Sequence, residues 1–283
     1  MPTIHPTALV DASAELAPDV EIGPYCVIRA TGGPVRLGPG VRLLGSNYVN
    51  GPATIGEGTI LWPHACVGFE PQDYKFGPGA KTAGVVIGAG CLIREHATVH
   101  AATSEERPTI VGDRCFLMVN SHVAHDCRVG NNVVFVNGAG VAGHGEIGDN
   151  VTLGGNAVIH QFCRIGRLVM MSGDCAVSLD VPPFCMVNER NRLGGLNQVG
   201  LRRSGMPREH ITELRRAFRD VLRNPMPRKE AVAILRARGQ TCPPVMELAE
   251  FFETTKRGIA PGMGRSTRGS RAAAVRSADE SDE

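Results

Sequence analysis

Four histidines stand close together in the middle of the chain, His122, His125, His144 and His160, and three of them sit beside residues that change what an imidazole can do. His125 is followed by Asp126. A carboxylate next to an imidazole holds it in one tautomer and makes it more basic, which a general base near neutral pH requires. Gly143 precedes His144, and glycine lets a carbonyl group approach a main-chain N–H, so this amide is a candidate oxyanion donor. Gln161 follows His160. No Ser or Cys lies in a nucleophile-elbow context, which favours direct group transfer over a covalent enzyme intermediate. His125, Gly143 and Gln161 are spaced by one repeated interval of eighteen residues, so the element that positions them must itself repeat.

That element is written in a period of six. Stepping from Val111 gives Leu117, Val123, Val129, Phe135, Val141, Ile147, Leu153, Ile159, Ile165, Met171 and Val177, all apolar. In-step series also run from Ile4 to Ile28, from Leu37 to Val67 and from Ile87 to Val99. Neither the period of an α-helix nor that of a flat sheet produces this pattern. Hexapeptide repeats of this kind predict a parallel β-helix, in which each short strand pairs with the coils on either side. Glycine often follows the marked residue, as in Ile55-Gly56 and Ile147-Gly148, where a corner needs a permissive backbone. The position two before it is usually small, and six of the nine cysteines fall there: Cys26, Cys91, Cys115, Cys127, Cys163 and Cys175. They read as packing residues rather than as disulfides or metal ligands.

The β-helix is expected over 1–190. Its register breaks between Ile28 and Leu37, between Val67 and Ile87 where EPQDYK intervenes, and after Val99 in ATSEERP. The last two breaks predict loops projecting near 68–84 and 101–109. The six-residue pattern stops at DVPPF, and from Pro207 the spacing becomes helical, with Ile211, Leu214, Phe218 and Val221 on one face. A small helical C-terminal domain is expected over 191–258, followed by a disordered tail over 259–283 with almost no large apolar residue. A net charge of +2 gives no ground for nucleic-acid binding. No stretch has the apolar length of a signal core or a membrane span, so a soluble, cytoplasmic protein is expected.

The repeat resembles left-handed β-helices, in which three hexapeptides close one coil. The fold class expected is mainly β: a left-handed parallel β-helix followed by a small α-helical C-terminal domain. Residues eighteen apart then stack about 4.8 Å from one another, and His125, Gly143 and Gln161 form one column with the other histidines around it. The runs NSHVAHDCRVG, AGHGEIGDN, VIHQF and DVPPF, with the hexapeptide coils and the final helices, are together similar to the acyl-carrier-protein-dependent UDP-N-acetylglucosamine 3-O-acyltransferases that open lipid A synthesis. The similarity extends over roughly residues 1–258.

This resemblance implies a homotrimer with active sites between neighbouring prisms. It implies an acyl group delivered on the phosphopantetheine of acyl-carrier protein, with no other cofactor and no metal, to UDP-N-acetylglucosamine or its 3-amino analogue. It assigns His125 as general base, Asp126 as its partner and the Gly143 amide as carbonyl polariser. His122, His144, His160 and Gln161 become contacts to the sugar nucleotide or acyl chain, Asp73 and Lys75 loop contacts to the glucosamine, and Asn197 and Arg203 nucleotide contacts. Gly173 becomes the limiter of acyl length, and the arginines from Arg202 to Arg223 a surface for the acidic carrier protein. The chain departs from the family at Ala101, where a basic residue is usual after His100, at Val199, where an acidic one is usual, and at NERN after the DVPPF exit.

Two other readings compete. A γ-class carbonic anhydrase is also a trimeric left-handed β-helix, and His122, His125 and His144 would be its zinc ligands; the helical domain and the EPQDYK loop are more than such a site needs. A β-helix can also be a scaffold with no site at all.

Overall fold

The computed structural model describes residues 1–30, 32–224 and 226–263. From Ile22 onward the step-six residues are buried, with Ile4, Val10 and Leu16 of the first coil left partly open at the end of the prism; Val123, Val141 and Ile159 lie in direct register on neighbouring coils. Each such aliphatic side chain contributes about 1.5–3 kcal/mol by leaving water. Their strands, mostly two or three residues long, assemble into three faces of 11, 9 and 8 strands, which begin at Thr3–Ile4, Leu9–Val10 and Glu15–Leu16 respectively. Within the prism every strand pair is parallel, as the repeat requires. The six cysteines of the repeat are free and buried inside it.

From Tyr25 onward most corners turn through a residue in the left-handed region, often Asn or Asp, which tolerate it best among non-glycines. Asp126 and His144 occupy this position, with φ of +60 and +59. The two long breaks are extruded without loss of register, because Ile55 pairs directly with Ile87 and Val99 with Val123.

Beyond the prism come α1 (Gln198–Arg203), α2 (Arg208–Ala217), which continues through a wider turn at Phe218–Leu222, α3 (Arg228–Gly239) and α4 (Pro243–Thr254). Ile211, Leu214, Phe218 and Val221 are buried as their spacing predicts. The unit is fastened to the third face by Arg167, whose guanidinium donates to both oxygens of Glu247 at 2.9 Å, and by Arg164, which lies over the Phe251 ring at 4.6 Å. Buried Asp180, from the DVPPF run, accepts from the Thr255 hydroxyl at 2.6 Å and from the Arg164 N–H at 2.9 Å.

Three boundaries differ from the sequence expectation. Arg192–Leu196, expected to open the helical domain, folds back as an antiparallel strand on Cys185–Glu189; Leu193 and Leu196 anchor it, and the two glycines between them carry no readable period. The second loop ends at Pro108, since Thr109–Val111 is already a strand, and Ala101 and Ala102 at its start are buried. The expected tail begins too early at 259: Ile259 bridges to Asp180 and Gly262 to Leu193, and Ala260 is buried. Residues 264–283 of that tail lie outside the described residues. Among the described residues no helix is long and apolar enough to cross a membrane.

Candidate active site

The second face and the corner after it carry the histidines. His122 is the outward residue of strand His122–Val123, paired with Gly140 on the next coil. His125 and Asp126 form the corner that follows, with Gly143-His144 and Gln161-Phe162 stacked on it: the His144 N–H donates to the His125 carbonyl and the Phe162 N–H to the Gly143 carbonyl, both at 3.0 Å.

Asp126 is the electrostatic centre. Its Oδ2 lies 2.8 Å from His125 Nδ1 and 3.5 Å from His144 Nε2. The Thr103 hydroxyl donates to the same oxygen at 2.8 Å, and the Thr103 N–H donates to Oδ1 at 3.0 Å. Burial works against charge on Asp126, yet the hydrogen bonds from His125 and Thr103, with the nearby charge of His144, hold its pKa below the ordinary carboxylate value. An ionised carboxylate only accepts, so His125 Nδ1 carries a proton, and in the neutral ring Nε2 is then the nitrogen that keeps the lone pair. That is the tautomer of a base whose working nitrogen faces away from its orienting acid.

The His125 ring stands over Gly143. A Cβ placed there would lie 2.5 Å from His125 Cε1 and 2.7 Å from Nε2, so only glycine fits beneath the imidazole. No acceptor among the described residues takes the Gly143 N–H. A basic nitrogen and an unclaimed amide donor therefore stand side by side, an arrangement suited to taking a proton from an attacking group while meeting a developing oxyanion.

The other histidines are placed more variously. His122 Nδ1 lies 2.7 Å from the Thr98 hydroxyl, and its ring meets that of His100 edge-on, with centroids 5.3 Å apart. Burial, reinforced by His100 and His125, pushes His122 down to about 4, and burial also lowers His100, whose Nδ1–H donates to the Glu70 carbonyl at 2.8 Å. Both are neutral near pH 7. The His144 ring stacks on Phe162 with centroids 4.5 Å apart. His160 and Gln161 are exposed one coil further on, joined by a 3.1 Å contact from His160 Nδ1 to the Gln161 carbonyl.

Asp73 and Lys75 share a turn of the first loop, in which the Lys75 N–H donates to Asp73 Oδ1 at 3.0 Å. Asn197 commits its carboxamide to the fold, accepting from the Gly200 N–H and donating to the Leu168 carbonyl, both at 2.9 Å. Arg203 ends α1 and is exposed. Among the described residues no hydrogen bond or ion pair joins these four to the His125 group. Gly173 sits at the corner after the first face, where a Cβ would meet only the Gly155 main chain, at 3.4 Å. The sequence reading missed Thr103 and the roles of Thr98 and His100. Thr103 belongs to a register break, where no periodicity marks an inward or catalytic position.

For a metal, the group among the described residues whose donor atoms converge within 4.8 Å is His125, Asp126 and His144. His122, a ligand in the carbonic anhydrase reading, is not part of that set and is turned to Thr98.

A family model for domain 2 of UDP-N-acetylglucosamine O-acyltransferases matches residues 180–260, and one for bacterial transferase hexapeptides matches 108–143. A Thermodesulfovibrio yellowstonii protein named acyl-[acyl-carrier-protein]–UDP-N-acetylglucosamine O-acyltransferase is 40% identical over 92% of this chain and 99% of its own length. The chain belongs to the UDP-N-acetylglucosamine O-acyltransferase family. A Rhizobium johnstonii family member of the same name is 41% identical over 88% of this chain and 90% of its own. Among solved family structures, the Francisella novicida UDP-N-acetylglucosamine acyltransferase superposes with a TM-score of 0.86 at 32% identity, covering 95% of this chain and 96% of that one. The Arabidopsis enzyme superposes at 0.78, also at 32% identity, covering 91% and 99%.

Proposed function

We propose that this chain transfers an acyl or hydroxyacyl group from acyl-carrier protein to the 3-position of UDP-N-acetylglucosamine, the first step of lipid A synthesis. His125 Nε2 takes the proton of the sugar 3-hydroxyl as that oxygen attacks the thioester carbonyl. The carbon–oxygen bond forms, the Gly143 N–H meets the oxyanion, the carbon–sulfur bond breaks, and the proton passes from His125 to the departing pantetheine thiolate. The observation that carries this reading is the His125–Asp126 pair standing over Gly143 with its N–H unclaimed. Direct transfer is supported by the thiol next to Asp126 in the chain, Cys127, which is buried in the prism with its pKa pushed up to about 12 by burial. The phosphopantetheine of the carrier is then the one prosthetic group the reaction needs.

The active form is a homotrimer with the site shared between prisms. Support comes from Val158 and Phe162, 48% and 50% exposed beside His160, an apolar patch that water covers in a single chain. A neighbouring prism would bring its own first loop or helical unit toward His125, which gives Asp73, Lys75 and Arg203 a route to the sugar nucleotide, alongside His122, His144, His160 and Gln161, whereas the carboxamide of Asn197 is already taken by the α1 cap and the Leu168 carbonyl. Carrier docking is supported by Arg202, Arg203 and Arg208, which have no ion-pair partner among the described residues, whereas Arg216 and Arg219 are paired with Glu213 and Asp220. Such an enzyme works where acyl-carrier protein is made, in the cytoplasm.

The test is turnover of purified protein with UDP-N-acetylglucosamine and its 3-amino analogue against acyl-carrier thioesters of graded length. Transfer to one of the sugars is expected, with Gly173→Met shortening the preferred chain, since the open space at Gly173 admits a side chain that would block a groove without disturbing the fold. Absence of turnover with every pair, or an acyl group trapped on the protein, would sink the reading.

A further inference from the structure

The loop between Val99 and Thr109 breaks the period of the prism, and its residues form no strand. It is nevertheless held firmly. The Ala101 N–H donates to the Phe69 carbonyl at 2.8 Å, the Ala102 N–H to the Gly84 carbonyl at 3.2 Å, and the Ser104 carbonyl accepts from the Ala83 N–H at 2.7 Å. Thr103 is thus fixed between two residues tied to the far end of the first loop, at Ala83 and Gly84, while Ala101 is tied to its start. Its N–H reaches Asp126 Oδ1 at 3.0 Å and its hydroxyl reaches Oδ2 at 2.8 Å, so one residue engages both carboxylate oxygens. A third contact, from the Asp126 N–H to the Thr109 hydroxyl at 2.8 Å, fixes the main chain beneath.

Oδ2 accepts from the Thr103 hydroxyl and from His125 Nδ1 at the same distance, 2.8 Å. The two donors share one oxygen, so the threonine takes part of the charge that the imidazole would otherwise receive, and it also sets the direction in which the remaining lone pair points. We propose that Thr103 is a positioning residue for the base: it holds the Asp126 carboxylate against His125 Nδ1 and moderates its pull on the Nδ1 proton. The proposal rests on His125 being the base of the acyl transfer. The other ionisable groups around the pair are His144, His100 and His122, with Arg107, Arg128 and Glu146 lining a cavity of about 220 Å³ onto which Asp126 and His144 open. Substitution of Thr103 leaves all of them in place.

The sign follows from the shared oxygen. Removing a donor from the carboxylate concentrates its charge on the bond to His125, favours the imidazolium and raises the pKa of His125. Thr103→Val keeps the shape and the N–H contact but loses the hydroxyl. Losing a hydrogen bond to a charged group should lower kcat about tenfold, with KM unchanged, and should raise both the acid limb of the pH profile and the His125 imidazole titration seen by NMR by about half a unit or more. Thr103→Ser, which restores the hydroxyl, should return all three toward wild type. The proposal is overturned if Thr103→Val keeps the wild-type kcat and titration. It is equally overturned if kcat falls with the titration unmoved and Thr103→Ser does not recover it, which is what a loop-packing role gives. The NMR titration needs no substrate, so it reads the Thr103 contact even where the wild type shows no turnover and the acyl-transfer reading itself fails.

Discussion

Two corners of the same prism have the same backbone turn and opposite chemistry. At the corner after the third face, Ala89, Asp113 and Asn131 occupy the first turn position, and each N–H is taken by the side chain one coil on: Ala89 by Asp113 at 2.9 Å, Asp113 by Asn131 at 2.8 Å and Asn131 by Asp149 at 2.7 Å. Glycines precede these positions because a Cβ at Gly112 or Gly130 would lie 2.7 or 2.5 Å from the capping oxygen. At the corner after the second face the equivalent residues are His125, Gly143 and Gln161, with no Asx ladder, and the Gly143 N–H is left unclaimed among the described residues. A solenoid corner closes itself when the next coil supplies a short side-chain acceptor that reaches back to the N–H, and leaves a free donor where it does not, as where Gln161 follows Gly143.

The comparison breaks most sharply at His125. His125→Ala should lower kcat by about 10²–10⁴-fold with assembly retained, because a positioned base contributes about that much; a near-normal rate would move the chemistry to His144. Next in size is alanine at two glycines. Gly143→Ala meets the His125 ring first, a side chain that can swing aside, so the fold should hold while displacement of the base costs about 10²-fold in kcat. Gly130→Ala meets Asp149 Oδ1 and the main chain of the next coil, so it should lose about 1–3 kcal/mol of stability, read by denaturation, with kcat per folded site unchanged. If the two variants behave alike, the corners do not differ as their hydrogen bonds say.

Asn131→Ala is a gentler probe of the closed corner. It strands the Asp113 N–H and should cost about 1–2 kcal/mol of stability without touching catalysis. The smallest effect is on pH. His122 is held down to about 4 by burial and its histidine neighbours, against 6.5 for the free side chain. Between these values the unfolded chain binds the extra proton, so the stabilisation is complete above about pH 6.5 and is lost as pH falls toward about 4. His122→Asn should flatten the dependence of the melting temperature on pH over that window, whereas Asn131→Ala should shift the curve without changing its slope.

The prism was legible because its rule is local and repeated. One apolar residue every six, with small residues and cysteines two before it, fixes strand, corner and register, and the same arithmetic stacked His125 on Gly143. The turn back at Arg192–Leu196 and the packing of Ile259 and Ala260 against the prism were not legible, since each depends on one pairing with a distant strand, at Cys185–Glu189 or Asp180, and no period announces it.

For the active site the division runs through a single carboxylate. The sequence by itself determined that an imidazole stands beside Asp126 and over a glycine, because both relations follow from adjacency and from the interval of eighteen. Only the tertiary structure decided that Thr103 holds both oxygens of that carboxylate, that His122 turns to Thr98 while His144 turns to Asp126, and that Asn197 spends its amide on a helix cap. Those outcomes depend on where an aperiodic loop lands and on which way a side chain rotates. Such choices are made by hydrogen-bond partners brought together in space, which a repeat along the chain does not encode.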